Sequence, residues 1–480
     1  MLFNSIEFLI FFPVVTILYF IIEHRFRWLI LLFASCYFYM CFVPEYILIL
    51  LVTILIDYFS GILVHRNTGK RRKLYLIGSI VANVGILCFF KYYDFFIGSF
   101  NTILGSDPSH QLPFLNILLP IGLSFHTFQS MSYTIEVYRG HTPPEKHFGI
   151  FALYVLFYPQ LVAGPIERPQ NLLHQFHSRK YFDVEKVKSG LWLMLVGFFK
   201  KIVIADKLAS FVNIVFDSPN SYSGAPVVLS IIFFAIQIYC DFSGYTDIAR
   251  GAARVMGFEL MTNFKQPYFS KSLTEFWSRW HISLSTWFKD YVYIPLGGNK
   301  KGTFITNRNL LIIFLISGLW HGAAWTFIAW GAMHGIYSII ERTWMKSSIY
   351  KSTFSQKKTV GTFGWILSMM FVCIAWVFFR ATSFENASSL LKSALNWEIS
   401  ANNFATQFRG IGWKPLDMYI SISLVILLFT FDYLNTRKNV FVRLRSVSTP
   451  VRWSIYYAIL FILLFYSTTD GAQNFIYFQF

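Results

Sequence analysis

The stretch from Asn309 to Ile340 reads NLLIIFLISGLWHGAAWTFIAWGAMHGIYSII. Its 32 residues carry no Lys, Arg, Asp or Glu, and charge returns at once on both flanks with Arg308, Glu341 and Arg342. About 20 apolar residues cross a hydrocarbon core of about 30 Å, so the run belongs in a membrane. It joins two basic segments that both belong on the cytoplasmic side, which a single crossing cannot do. Gly318, Gly322, Gly331 and Gly335 interrupt it, and the run is predicted to break into two pieces. Irregular backbone at membrane depth survives only where protein or a water-filled cavity satisfies its polar groups. The break therefore points to a cavity. Secondary transporters leave the same signature, and that class stays open on this feature.

The rest of the chain agrees on the solvent. Of its 480 residues 55% are hydrophobic and 14% charged, whereas a soluble domain is about a quarter charged. Apolar stretches of spanning length lie near 6–22, 27–43, 46–64, 74–97, 114–135, 148–164, 190–216, 227–248, 309–340, 362–379, 418–434 and 453–467. We expect an all-α multi-pass membrane protein with about 10–12 transmembrane helices plus re-entrant segments. No polar stretch is long enough to fold alone, so residues 1–480 read as one membrane domain. The first apolar segment has no basic n-region and no small-residue cleavage site, and reads as a retained span. The five cysteines lie inside apolar runs without metal-ligand or disulfide spacing and read as packing.

A formal charge of +17 raises nucleic acid, but the basic residues sit in clusters between apolar runs. Arg66, Lys70, Arg71, Arg72 and Lys73 form one, Arg342, Lys346, Lys351, Lys357 and Lys358 a second, and Arg437, Lys438, Arg443, Arg445 and Arg452 a third. That is the positive-inside pattern of cytoplasmic loops. No polar module carries the clusters, so nucleic acid is set aside. Residues 98–113, 217–226 and 467–480 lack Lys and Arg and are expected to face outward, which puts the C-terminus outside. The run 148–164 joins two basic loops and is expected to re-enter rather than cross. Residues 268–308 mix Trp277, Trp280, Trp287, Tyr291 and Tyr293 with charges, as suits an interfacial or re-entrant element. Residues 381–417 form the longest outward loop.

Ionisable groups inside spans are costly and mark pathways or reaction sites. His321 lies in Ser317-Gly318-Leu319-Trp320-His321-Gly322-Ala323. An imidazole there can take a proton from a hydroxyl and return it to a leaving group, or it can be a buried histidine satisfied by a carbonyl. His281, in Trp277-Ser278-Arg279-Trp280-His281-Ile282-Ser283, reads as a functional group or an interfacial anchor. His334 reads as packing. Asp247 and Arg250, three apart, suit an ion pair. Asp241 is deeper, and either bonds neighbouring helix ends or orients a histidine. HExxH, GxSxG and GxxxxGK[ST] motifs are absent from the sequence, which counts against zinc hydrolysis, serine-hydrolase chemistry and ATP-driven pumping.

Four stretches together resemble the membrane-bound O-acyltransferase (MBOAT) family. They are Met1-Leu2-Phe3-Asn4-Ser5; Tyr158-Pro159-Gln160-Leu161-Val162-Ala163-Gly164-Pro165-Ile166; Asp241-Phe242-Ser243-Gly244-Tyr245-Thr246-Asp247; and Phe276 through Trp280-His281 to Pro295-Leu296-Gly297-Gly298, followed by Trp320-His321-Gly322. The chain is most similar to the bacterial branch that contains the membrane subunits of alginate O-acetylation and teichoic-acid D-alanylation. The resemblance implies helices ringed around a central tunnel. His321 falls on the family's catalytic histidine and His281 on its second histidine, with Asp241, Trp320, Arg279 and Trp280 as tunnel or structural support. It also implies a bacterial cytoplasmic (inner) membrane, and no bound cofactor or metal. A cytosolic acyl thioester, acetyl-CoA or an acyl carrier protein, would donate an acyl group, taken here as acetyl. The acceptor would be an exported polysaccharide or cell-envelope polymer, reached through an extracytoplasmic SGNH-type partner. D-alanyl-type transfer to a teichoic-acid-like polymer is the alternative, and a secondary transporter the more distant one.

The C-terminus, Phe475-Ile476-Tyr477-Phe478-Gln479-Phe480, resembles the FxYxxF ending of the small partner peptide in D-alanylation. The resemblance implies that Tyr477, on an external tail of residues 467–480, is an acyl-carrier candidate. An aromatic anchor at the membrane boundary would give the same composition.

Overall fold

The computed structural model describes residues 1–105, 111–347, 358–397, 406–408, 410–437, 440–469 and 475–478. Lys351, Lys357 and Lys438 of the basic clusters, part of the 381–417 loop, and Gln479 and Phe480 of the tail motif lie outside the described residues. Among the described residues the chain is helical and has no strand. It divides into two compact units, residues 1–194 with 245–261, and residues 195–244 with 262–480.

In the first unit α1 (Ile6–Ile21) begins at Ser5, whose hydroxyl accepts the Phe8 N–H at 3.3 Å as an N-cap. Phe3, Phe8 and Phe11 pack on Phe38 of α2 (His24–Met40). The long helices α3 (Ile47–Arg66), α4 (Gly69–Leu104) and α5 (Leu123–Arg139) meet at Asp57 of α3. Its carboxylate is fully buried, a position tolerated only with several donors. Ser79 and Asn83 of α4 and Ser130 and Thr134 of α5 supply them. The apolar run 114–135 turns helical only at Leu123: Pro120 disfavours helix in the residue before it, and Gly122 turns the chain at φ +77°.

The run 148–164 forms α6 (Phe148–Leu156) and α7 (Tyr158–Leu161), nine and four residues long. At 1.5 Å per residue neither spans a bilayer. Protein satisfies the irregular backbone where they join. The Gln129 and Gln160 side-chain amides donate to the Tyr154 carbonyl at 2.6 and 2.8 Å, and Ser35 Oγ accepts the Tyr158 N–H at 3.0 Å. α8 (Pro169–His177) and α9 (Val184–Phe198) follow. Asp247 and Arg250 form the expected ion pair at 3.4 Å.

The second unit takes over in the last turn of α9, which passes through a π-helical stretch, Phe199–Ala205, into α10 (Asp206–Asp217). α11 (Ala225–Val255) carries Asp241. Residues 268–308 contain two seven-residue helices, α12 (Leu273–Arg279) and α13 (Ile282–Phe288), too short to cross. The run 309–340 falls on α14 (Gly302–His321) and α15 (Trp325–Lys346), parted at residues 322–324. Its glycines let the two helices close: a Cβ on Gly318 would lie 2.2 Å from the Phe327 carbonyl oxygen, and one on Gly331 2.2 Å from that of Phe314. α16 (Lys358–Arg380), α17 (Phe384–Leu395), α18 (Pro415–Arg437), α19 (Val440–Arg445) and α20 (Thr449–Thr469) complete the order, with a 3₁₀ turn at Ile476–Phe478.

Seven helices among the described residues are long and apolar enough to cross a membrane: Pro44–Arg66, Gly69–Leu104, Ala225–Val255, Gly302–His321, Gly361–Arg380, Pro415–Arg437 and Thr449–Tyr466. Other apolar runs form shorter helices, such as the 16 residues of α1. On α20, Trp453, Tyr457, Phe461, Leu464 and Phe465 are exposed, a surface suited to lipid rather than water. The chain is an all-α multi-pass membrane protein.

Candidate active site

The candidate groups of the second unit converge at the C-terminal end of α14. His321 is the last residue of that helix, 4% exposed, and Gly322 leads the chain away in an extended conformation. Its ring is walled by Trp320, Trp330 and Phe379, at centroid distances of 4.9, 5.1 and 5.3 Å. The His281 ring lies 6.5 Å away. Trp320 packs against both histidines, 6.1 Å from His281.

His281 is fully buried at the junction of α12 and α13, where its φ of +43° puts it in the left-handed region. A non-glycine residue pays conformational strain there and is held by its surroundings. Asn263 does the holding. Its Oδ1 accepts the Ser283 N–H at 3.1 Å and the Ser283 hydroxyl at 2.9 Å, and faces His281 Nδ1 at 3.2 Å. A backbone N–H can only donate, so the Asn263 atom is the oxygen and His281 Nδ1 must donate to it. That assigns the lone pair of the neutral ring to Nε2. Burial lowers the His281 pKa from 6.5 to about 3, so the ring stays neutral near pH 7.

The third group is the tail. Tyr477 lies 5.7 Å from His321, ring to ring, and packs on Phe242 at 4.7 Å and on Phe475 at 5.5 Å. Its hydroxyl is buried. Burial, and secondly the Asp241 carboxylate, raise the phenol pKa well above 10, so the hydroxyl is protonated near neutral pH. Phe475 and Ile476 are 1% and 2% exposed, their apolar side chains taken up in an aromatic cleft with Phe242 and Tyr477.

Asp241 meets the tail rather than a histidine. Its Oδ2 accepts the Ile476 N–H at 2.7 Å, and its Oδ1 pairs with Lys201 Nζ at 2.7 Å. Lys201 also pairs with Asp206 at 2.8 Å. Trp280 is 1% exposed and stands in the aromatic wall, stacked on Phe276 and close to Trp376. Arg279 pairs with Glu275 of its own helix at 2.5 Å. His334 packs among Trp277, Trp330, Phe314 and Phe371.

Sequence reasoning missed Lys201, Asp206 and Asn263. Lys200 and Lys201 stand inside the apolar run 190–216, and a charge inside a span is a flag. Asn263 gave no such signal. Among the described residues no group of three or more His, Cys, Asp or Glu is placed to hold a metal ion.

Residues 116–384 match the family described as MBOAT, membrane-bound O-acyltransferase. A Pseudomonas aeruginosa protein named probable alginate O-acetylase AlgI is 39% identical over 411 residues, 84% of this chain and 77% of that protein. The peptidoglycan O-acetyltransferase of Helicobacter pylori is 36% identical over 427 residues, 82% of this chain and 79% of its own length. The teichoic acid D-alanyltransferase of Bacillus subtilis is 26% identical over 344 residues, 68% and 82%.

Proposed function

This chain belongs to the membrane-bound O-acyltransferase family and is an O-acyltransferase, and on that premise we propose that it moves an acetyl group from a cytosolic thioester to an exported polysaccharide or cell-envelope polymer. Acetyl is favoured over D-alanyl by the higher identity to the two O-acetylating relatives, 39% and 36%, than to the D-alanyltransferase, 26%. The observation that carries the mechanism is the Tyr477 ring 5.7 Å from His321. His321 is the general base. It takes the phenolic proton as the Tyr477 oxygen attacks the thioester carbonyl. The C–S bond then breaks, and the imidazolium returns the proton to the leaving thiolate. The phenol needs that base because it is protonated near pH 7. His281, with its lone pair on Nε2, and Trp320, which packs against both rings, position the thioester against His321. The aromatic wall keeps bulk water from the thioester and so limits hydrolysis.

The acetylated tail then delivers its cargo outside, to a serine of an extracytoplasmic SGNH-type partner that acylates the polymer. Acetyl-CoA is the donor favoured here, drawn by the basic loops. The protein resides in a bacterial cytoplasmic membrane with its tail reaching the external face.

The test is purified protein in nanodiscs with acetyl-CoA and, separately, with a D-alanyl-loaded carrier protein. Mass spectrometry of the C-terminal peptide should find an acetyl ester on Tyr477 in wild type and none in His321→Ala. No adduct with either donor would sink the carrier step. For the topology, a single cysteine at residue 467 in a background without the native cysteines should label with an impermeant thiol reagent in intact cells. Labelling only after permeabilisation would reverse the assigned orientation.

A further inference from the structure

We infer that Asp241 is the docking residue for the acyl-carrying tail, a positioning residue that grips the main chain of Ile476 and is itself aimed by Lys201. This rests on the reading of Tyr477 as the carrier. A carrier must return to the same place after each delivery, and aromatic packing alone is poorly directional. The Ile476 N–H to Asp241 Oδ2 bond, 2.7 Å, supplies the direction. It fixes the residue next to Tyr477. A main-chain donor also has an advantage over the phenol: acetylation of Tyr477 removes the phenolic O–H and leaves the Ile476 N–H unchanged.

The carboxylate is prepared for one guest. Asp241 is 3% exposed and Lys201 3%, so both are charges that need partners. Lys201 sits between Asp206 at 2.8 Å and Asp241 at 2.7 Å, so one cation is shared by two carboxylates and holds the Asp241 Oδ1 side. A neutral amide donor then serves the other oxygen, Oδ2. The placement of Lys201 follows from local geometry. It lies in the π-helical stretch Phe199–Ala205, and Gly244, three residues after Asp241, lets that backbone come close. A Cβ on Gly244 would lie 2.7 Å from the Gly197 carbonyl oxygen and 3.1 Å from the Lys201 nitrogen. The rings of Phe242 and Phe475, 5.7 Å apart, close the dock beside the carboxylate.

The charge balance also selects the variants. Lys201→Met would remove the cation that sits between two buried carboxylates, whereas Asp241→Ala leaves the Lys201–Asp206 pair in place and should fold. Asp241→Asn keeps a carbonyl acceptor. From the other side, Ile476→Pro deletes the donor at the first position of a 3₁₀ turn, which accommodates a proline φ, with Ile476→Ala as control for the lost side chain. Hydrogen exchange of the Ile476 amide in the full chain reads docking without catalysis. Its exchange should rise about ten- to hundredfold in Asp241→Ala, the range for losing a hydrogen bond to a charged group, and remain substantially protected in Asp241→Asn. Tyr477 acetylation should fall in Asp241→Ala and in Ile476→Pro, and recover in Asp241→Asn and in Ile476→Ala. Unchanged Ile476 protection in Asp241→Ala, or equal acetylation in Ile476→Pro and Ile476→Ala, would overturn the dock. Lost protection with polymer acetylation intact would leave the dock standing and overturn Tyr477 as carrier.

Discussion

Replacing Tyr477 with phenylalanine removes one oxygen and little else. The ring contacts that hold the side chain, 4.7 Å to Phe242 and 5.5 Å to Phe475, are available to phenylalanine unchanged. The bond that fixes the tail runs from the Ile476 main chain and is untouched. Deleting one hydroxyl shifts stability by about 1 kcal/mol, too little to undock a tail held by two buried residues and a charge-assisted hydrogen bond. What is lost is the proposed nucleophile. The tail has the reach for a shuttle: α20 ends at Thr469, so eight residues lead to Tyr477, and at about 3.3 Å each they extend about 26 Å. That is close to the thickness of a hydrocarbon core of about 30 Å. In intact cells, base-releasable acetate on the exported polymer should fall to background in Tyr477→Phe, about a hundredfold or more, the scale on which a missing catalytic group registers. The variant should remain abundant in membranes, with Ile476 exchange protection as in wild type. Acetate at half of the wild-type level or above would mean that the hydroxyl carries nothing and the tail is an aromatic plug.

His321→Ala should lower polymer acetylation by about a hundred- to ten-thousandfold at normal membrane abundance, and near-normal acetylation would remove His321 from the base role. Gly244→Ala should force the π-helical backbone outward and misplace Lys201, at a cost of about 1–3 kcal/mol; an unchanged melting temperature in detergent with normal Ile476 protection would contradict the close packing. His281 gives a pH signature. The folded ring resists protonation until about pH 3, while an unfolded histidine takes a proton near 6.5, so stability falls as pH drops below 6.5, by about 1.4 kcal/mol per unit from this group. Melting temperature between pH 6.5 and 5 should therefore decline more steeply in wild type than in His281→Asn, and equal slopes would count against a neutral buried ring.

Much of the fold was legible because the bilayer restricts the choices. An apolar run of spanning length must be helix, and the glycines of 309–340 marked the break between His321 and Trp325. The charge rule marked 148–164 as a segment that does not cross, and α6 and α7 are each too short to do so. Hydropathy overstated the length of the helix near 114–135 because it does not register that Pro120 and Gly122 stop a helix on steric grounds. It also had no means of showing Asp57 as the meeting point of three helices. The four donors are ordinary Ser, Asn and Thr residues, drawn from positions 22 to 77 residues away.

The site divides along the same line. His321, His281 and Trp320 stand together; His321 was flagged because an ionisable group in an apolar run is conspicuous, whereas His281 stood out less in the mixed stretch 268–308 and Trp320 entered through the family resemblance. Asn263 was not flagged, although it settles which nitrogen of His281 holds the lone pair, because it acts across 18 residues through one oxygen. Asp241 was flagged, but the sequence left two partners open. The partner turned out to be a main-chain N–H 235 residues later, and a main-chain donor has no signature, since every residue but proline carries one. The tail joins a local signal to a distant one. Its composition of alternating aromatics fits a boundary anchor and a cleft equally well, and the buried carboxylate facing Ile476 is what distinguishes them: a membrane interface presents water and headgroups to a main-chain amide, whereas here a fixed acceptor holds Ile476 and the next residue's ring lies 5.7 Å from His321.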